Sequence, residues 1–289
     1  MPGCDGDTVV STPPLPDRFV TASPKPVVTV PRCGHPKVSF VTVAFGTGPI
    51  IVESLISLVA SLESSTLDYE YVVIDNAHPS AADLTVNTLL LATRGIRVVR
   101  SQTNLGFGGG CELGVRNSTG EIVGFVNPDV IYEPGWIEPL LEQLDRPGVS
   151  IAAPVLLNPD GSVQEAGHRL WADGHTAPIM VAPAPGDVTT CDFASAACWL
   201  VRRREHQRVG GFDPAFFPAY YEDVDYSLRA RSLGGSTVVV GSSRIVHRKG
   251  ASTSDDLVPD TTPQRRLLLD RWPDLAATQR SPLSKSPDG

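Results

Sequence analysis

Residues 37–48 read KVSFVTVAFGTG, a β-branched apolar run that stops at a Gly-Thr-Gly turn. Val, Ser, Thr and Phe in a stretch this short predict a buried strand over 37–45 rather than a helix. Outward from it, 50–62 carries apolar residues at helical spacing, and 69–74 is a second strand ending at Asp75-Asn76. A helix follows over 84–92 and a third strand over 96–100; a helix begins in 108–117, and 121–126 is a fourth strand ending at Asn127-Pro128-Asp129. Strand-helix alternation with short connections is the mark of an α/β fold with a parallel sheet covered by helices. In such sheets the loops at the carboxyl ends of the strands line the ligand crevice. Gly46-Thr47, Asp75-Asn76, Asn104 and 127–129 all fall at those ends and mark out a cleft of nucleotide size.

The second half is less regular. Residues 183–186 read as a loop, 193–202 (FASAACWLVR) as a buried strand or short helix, 222–233 as a helix and 237–240 as a strand leading toward His247. Eight of the 26 prolines lie within residues 1–36, a density that blocks helix and ladder formation and predicts an extended or disordered tail. The polar segment 256–289 forms a second tail, in which 264–272 (QRRLLLDRW) could fold as one short amphipathic helix and dock on a membrane surface.

Composition narrows the function. Lys plus Arg number 24 against 32 Asp plus Glu, a formal charge of −8, which argues against broad nucleic-acid binding. No apolar run reaches the roughly 18 residues of a membrane span. No basic segment followed by an apolar core opens the chain, so no secretory signal is read. The five cysteines are scattered without a CxxC pair and read as reduced thiols in a cytosolic protein.

The chemistry concentrates in two acidic turns. Tyr221-Glu222-Asp223-Val224-Asp225 follows Gly210-Gly211-Phe212-Asp213, and three carboxylates within four residues repel unless water, a metal or a cation absorbs the charge. With Asp129 and the distant His247, the set suits a bound divalent cation plus a general base, hence transfer chemistry on a phosphorylated substrate. Each element also has a plainer reading. Asp129 could cap a turn, Glu222 and Asp225 could complement a helix dipole, and His247 could be a satisfied polar residue. His78, His168, His175 and His206 read as structural, Arg202-Arg203-Arg204 as a solvated face, and Trp199 equally as core or as a sugar platform. Residues 106–110 (GFGGG) fit neither the Walker nor the dinucleotide spacing and read as a flexible turn that lets a helix approach the donor.

Asp75-Asn76, the run 104–107 (NLGF), 127–130 (NPDV), 200–203 (LVRR), 210–213 (GGFD), 221–225 (YEDVD) and His247 with Ser252-Thr253 follow one another in an order that resembles family 2 glycosyltransferases, especially their bacterial rhamnosyltransferase-like branch. The resemblance covers residues 37–255. It implies a GT-A fold, with a Rossmann-like nucleotide-binding half over about 37–130 fused to an acceptor-binding half over about 131–255. It also implies inverting transfer of a sugar, rhamnose among the candidates, from a dTDP- or UDP-sugar to a glycan or lipid-linked acceptor in surface polysaccharide synthesis. Carried over residue by residue, Asp129 and His247 become ligands of Mg²⁺ or Mn²⁺, and Glu222-Asp223 the catalytic pair with Asp223 as base. Thr42, Phe45, Asp75, Asn76, Asn104 and Asn127 become the nucleotide-sugar pocket. Crowding by Glu222 and Asp225 is expected to raise the basicity of Asp223.

The chain departs from the family at Ala77-His78, at Glu112 in place of Asn, at Ala196-Ala197 in place of Gly-Ser, and by one extra residue between Phe217 and Glu222. Those departures keep open a sugar-nucleotide-binding protein without transfer activity. A nucleotidyltransferase would need a basic glycine-rich turn, and Gly46-Thr47-Gly48 has no Lys or Arg beside it.

Overall fold

The six expected strands join four that the sequence reading did not mark, 130–132, 149–157, 163–165 and 188–191, in one mixed sheet of ten. The structure is a computed structural model and describes residues 27–31, 33–79, 85–248 and 260–275. In chain order the sheet strands are β1 (Val38–Ala44), β2 (Tyr69–Asp75), β3 (Arg97–Arg100), β4 (Ile122–Val126), β5 (Val130–Tyr132), β6 (Val149–Leu157), β7 (Val163–Glu165), β8 (Val188–Cys191), β9 (Cys198–Arg202) and β10 (Ser236–His247). Their order across the sheet is β8-β10-β6-β9-β4-β1-β2-β3, with β5 paired to β10 and β7 to β6. The helices are α1 (Ile50–Ser61), α2 (Thr85–Ala92), α3 (Gly106–Arg116), α4 (Glu138–Leu144), α5 (Arg203–Val209), α6 (Glu222–Ser232) and α7 (Thr262–Arg271).

Strand β1 runs parallel to both β2 and β4, as strand-helix alternation requires. Its side chains alternate between two cores. Phe40 joins Leu55, Leu58, Trp136 and Leu140 on one face, while Val41 joins Phe125, Trp199, Phe212 and Tyr226 on the other. A strand covered on both faces has no solvent-facing side, so Val38, Phe40, Val41 and Ala44 are all buried, with Ser39 and Thr42 buried beside them. Strand β9 enters antiparallel, with Cys198 opposite Val126, so its amino end meets the carboxyl ends of β1, β2 and β4 at one rim. Strands β6 and β10 are parallel to each other and also end there.

Three expectations change. The glycine-rich run 106–110 is not a loose turn but the first half of α3. Glycine in a helix is about 1 kcal/mol worse than alanine, yet here it permits close approach: a Cβ on Gly114 would lie 2.2 Å from Val41 Cγ1. The tail expected through residue 36 is packed at its end, where Val28–Thr29 pairs with Thr93–Arg94 and Val30 is fully buried; residues 1–26 lie outside those described.

The third change concerns the C-terminal segment. It is helical, but α7 is not a free surface helix. Leu268 is fully buried with Phe216, Tyr221, Val224 and Leu228, and Leu267, Leu269 and Trp272 pack around them. Trp272 Nε1 donates to Asp225 Oδ1 at 3.0 Å, and Arg271 donates to the Asp213 carboxylate. Its apolar residues are spent on the protein's own core, which removes the basis for reading it as a membrane-docking face. Among the described residues no helix is long and apolar enough to cross a membrane.

Gly114→Ala discriminates packing from propensity. Helix propensity alone would stabilise the variant by about 1 kcal/mol, whereas overpacking against a buried β-branched side chain costs roughly 1–3 kcal/mol. Denaturant unfolding is expected to show net destabilisation; a more stable Gly114→Ala protein would contradict the close helix-sheet contact.

Candidate active site

The cation-binding candidates meet through strand register. Strand β5 begins one residue after Asp129, and the antiparallel pairing of β10 sets His247 opposite Val130. Asp129 is 1% exposed and His247 7%, with Nε2 3.3 Å from Asp129 Oδ1. The Arg248 amide donates to the Asp129 carbonyl at 2.9 Å and fixes the crossing. No group of three or more His, Cys, Asp or Glu arranged to hold a metal occurs among the described residues. Two protein donors, one carboxylate oxygen and one imidazole nitrogen, fit a cation whose remaining positions are taken by phosphate oxygens and water. The mixed oxygen and nitrogen set suits Mn²⁺ better than Mg²⁺.

The second acidic turn is the amino end of α6. Tyr220 and Tyr221 enter it with φ of 77° and 70°, left-handed values that tyrosine seldom adopts. Glu222, 6% exposed, has its carboxyl pushed well up by burial and then by the charge of Asp223. Burial likewise pushes Asp223 up to about 6, against hydrogen bonds from the backbone amides of Val224, Ala196 and Asp223 itself; the Val224 contact is 2.8 Å. Like-charge crowding is therefore not what raises Asp223. Asp225 faces elsewhere, accepting from Arg229 Nε at 2.8 Å and from Trp272 Nε1, and it anchors α7.

The dipeptide Ala196-Ala197 joins the two turns. The Ala196 amide holds Asp223, and the Ala197 carbonyl accepts from the Asn127 amide at 2.7 Å. Both contacts are made by main chain, so the departure from Gly-Ser removes no group that this geometry uses.

The nucleotide-side candidates divide. Phe45, 37% exposed, and Asp75 lie on the rim; Phe45 meets the His78 ring edge-on at 4.8 Å, and Asp75 Oδ2 is 3.6 Å from Arg100 Nε. His78 thus belongs to this rim despite its plain reading from sequence. Half-buried Asn127 opens the turn to Asp129. Thr42, by contrast, is fully buried, donating to the Val126 carbonyl at 3.0 Å and bonded to Tyr71 Oη at 2.8 Å. It braces the sheet below the rim and cannot touch a ligand there, a correction that follows from its place inside a two-sided strand.

Asn76 and Asn104 lock one another. Asn76 Nδ2 donates to Asn104 Oδ1 and to the Gly106 carbonyl, each at 3.1 Å, and Asn76 Oδ1 accepts from the Leu105 amide. With both amide hydrogens of its side chain used, Asn76 shapes the loop that opens α3.

Two groups have no contact or role assigned to them from sequence, although Glu112 stands out as a departure from Asn. Glu112 accepts from the Phe212 amide at 2.8 Å and pairs with His206 Nε2 at 2.9 Å. Burial works to raise its carboxyl, but the His206 and Phe212 contacts outweigh it and hold Glu112 below the usual range. A Cβ on Gly211, whose φ is +73°, would lie 2.6 Å from Glu112 Oε1, so this departure from Asn pins the turn leading toward α6. The other group is Gln164, 2.7 Å from His247 Nδ1. No local pattern shows either contact, because each pairing is long-range.

A family model described as glycosyl transferase family 2 matches residues 39–210. The chain belongs to that family. It is 26% identical over 223 residues to the uncharacterized protein y4gI of Sinorhizobium fredii, covering 71% of this chain and 24% of that protein. It is 27% identical over 245 residues to the N-acetylglucosaminyl-diphospho-decaprenol L-rhamnosyltransferase of Mycobacterium tuberculosis, covering 75% of this chain and 77% of the relative. The chain thus spans about a quarter of the first relative's length and three quarters of the second's. Among solved structures it resembles GalNAc-T7 crystallised with UDP, GalNAc and Mn²⁺, with a TM-score of 0.60 at 15% identity over 74% of this chain and 44% of that one. The fold is GT-A, and the family is one of glycosyltransferases.

The buried carboxyls of this family 2 chain carry a stability cost with a defined sign. Below the unfolded carboxyl's value near 4, Asp223 is protonated in both states and costs nothing. Between there and about 6 the unfolded state ionises first, so stability falls as pH rises, and above about 6 the penalty is complete. A displacement of about two units at 1.36 kcal/mol each bounds it near 3 kcal/mol. Asp223→Asn is therefore expected to be more stable than the parent at about pH 7.5, with the gain fading toward pH 4. Unfolding curves at the two pH values check this; a variant destabilised at neutral pH would contradict it.

Proposed function

We propose that the chain is an inverting, cation-dependent glycosyltransferase that moves a sugar from a dTDP- or UDP-sugar, with dTDP-rhamnose the first donor to try, to a glycan or lipid-linked acceptor. The observation that carries this reading is the sharing of one dipeptide by both turns: Ala196 holds Asp223 while Ala197 holds the turn that ends in Asp129. A base and a cation site so joined suit displacement at a carbon between an acceptor hydroxyl and a diphosphate. The similarity to the Mycobacterium N-acetylglucosaminyl-diphospho-decaprenol L-rhamnosyltransferase supports the choice of rhamnose and of a lipid-linked acceptor.

In this reading the acceptor oxygen attacks the anomeric carbon from the face opposite the diphosphate. The new carbon–oxygen bond forms as the bond to the diphosphate oxygen breaks, inverting the centre. The acceptor proton passes to the Asp223 carboxylate, and the nucleoside diphosphate departs with the electron pair. Asp129 and His247 would hold the cation, whose charge offsets that gathering on the leaving diphosphate. A base titrating near 6 is ionised at neutral pH yet more basic than an exposed carboxylate. Phe45, Asp75 and Asn127 would line the donor side, with Asn76 and Asn104 shaping its loop.

The binding-only alternative rested on Glu112 and Ala196-Ala197. These residues supply a turn anchor and main-chain contacts, so neither gives that alternative support.

The test is sugar transfer measured with a donor panel and Mn²⁺. Asp223→Asn is expected to bind donor as the parent does and to lose on the order of 10²–10⁴-fold in kcat. The parent's kcat/KM should fall as pH drops below about 6, where the base becomes protonated. Turnover by Asp223→Asn comparable to the parent would overturn the base assignment.

A further inference from the structure

Strands β6 and β7 pair Leu157 with Val163 but Leu156 with Glu165, so Gln164 is the extra residue of a β-bulge. Bulges re-aim side chains beside functional sites, and this one sends a carboxamide to His247, 83 residues away in sequence. Gln164 Nε2 lies 3.0 Å from the main-chain carbonyl of His247 and 3.0 Å from Asn158 Oδ1. A main-chain carbonyl only accepts, so the NH₂ end of the carboxamide must face it. Oε1 then faces the imidazole, 2.7 Å from Nδ1. A carboxamide oxygen cannot donate, which leaves Nδ1 as the nitrogen that carries the proton.

We propose that Gln164 is a positioning residue that holds His247 in the tautomer protonated on Nδ1, presenting the Nε2 lone pair toward Asp129. The proposal rests on the reading of His247 as a cation ligand, and it adds what that reading lacks: the group that chooses the ligating nitrogen. An imidazole free to take its other tautomer would turn an N–H toward the cation position and forfeit the bond. Gln164 grips both ring and carbonyl of the same residue, so ring orientation and tautomer are fixed together, as partners of ligating histidines do elsewhere.

The tautomer is read directly from long-range ¹H–¹⁵N correlation spectra of the ¹⁵N-labelled full chain in alkaline buffer, where imidazoles are neutral. A His247→Ala spectrum assigns the signals. The parent and Gln164→Glu, which keeps an acceptor oxygen at Nδ1, are expected to show His247 protonated on Nδ1. Gln164→Leu is expected to lose that preference. Mn²⁺ binding in the presence of UDP, followed by electron paramagnetic resonance, should weaken on the order of 10–100-fold in Gln164→Leu and stay close to the parent in Gln164→Glu. A parent protonated on Nε2, or a Gln164→Leu protein that keeps the Nδ1 proton, would overturn the proposal. A locked tautomer in a protein that binds no Mn²⁺ would uphold it and remove the cation reading instead.

Discussion

The pairing of β10 with β5 is the constraint on which the rest of the site depends. Asp129 ends a turn after β4, and His247 ends a strand begun more than a hundred residues later. Nothing local brings them together. The ladder does, because His247 opposite Val130 is the register that buries Ile245 in the core. A slip of one residue would turn His247 to the other face and expose that isoleucine, so packing of the sheet enforces the geometry of the site. The same logic runs through β9, where Cys198 opposite Val126 sets Ala196 and Ala197 between the two acidic turns.

The site is also where the fold carries its local costs. Two tyrosines in left-handed conformation precede two carboxyls raised by burial, all at the amino end of one helix. The surroundings over-determine this strain. Phe212 packs among Phe125, Trp199 and Tyr226, Glu112 pins the turn before it, Tyr221 Oη donates to the Gly174 carbonyl, and Asp225 ties α6 to α7. Helix α7 thus buttresses α6. A raised carboxyl is unfavourable for stability and useful for proton transfer, which is why its neighbours must be rigid.

Much of this was legible in the sequence where the signal was local. Residues 37–126 alternate strand and helix with turn residues at each junction, and the sheet follows them closely. Asp129, Asp223 and His247 stood out because charged residues beside apolar runs need a reason. What was not legible is long-range. Thr42 looked like a rim residue because sequence cannot say that both faces of β1 are covered. The glycine run looked like a turn because close packing of Gly110 against Val43 is invisible before the sheet exists. Segment 264–272 is amphipathic whether its apolar side meets a membrane or, as it does, Phe216 and Leu228. Gln164 carries no signal at all; the bulge it forms in β7, opposite the carboxyl end of β6, aims it.

The central claim is that Asp129 and His247 form a cation site that secures a nucleoside diphosphate. The most direct measurement is calorimetric titration of dTDP and UDP into the full chain with Mn²⁺, with EDTA, and in Asp129→Ala. Binding that requires Mn²⁺ and disappears both with EDTA and in the variant is the predicted result. Nucleotide binding indifferent to the cation and to Asp129, or no nucleotide binding under any condition, would contradict it.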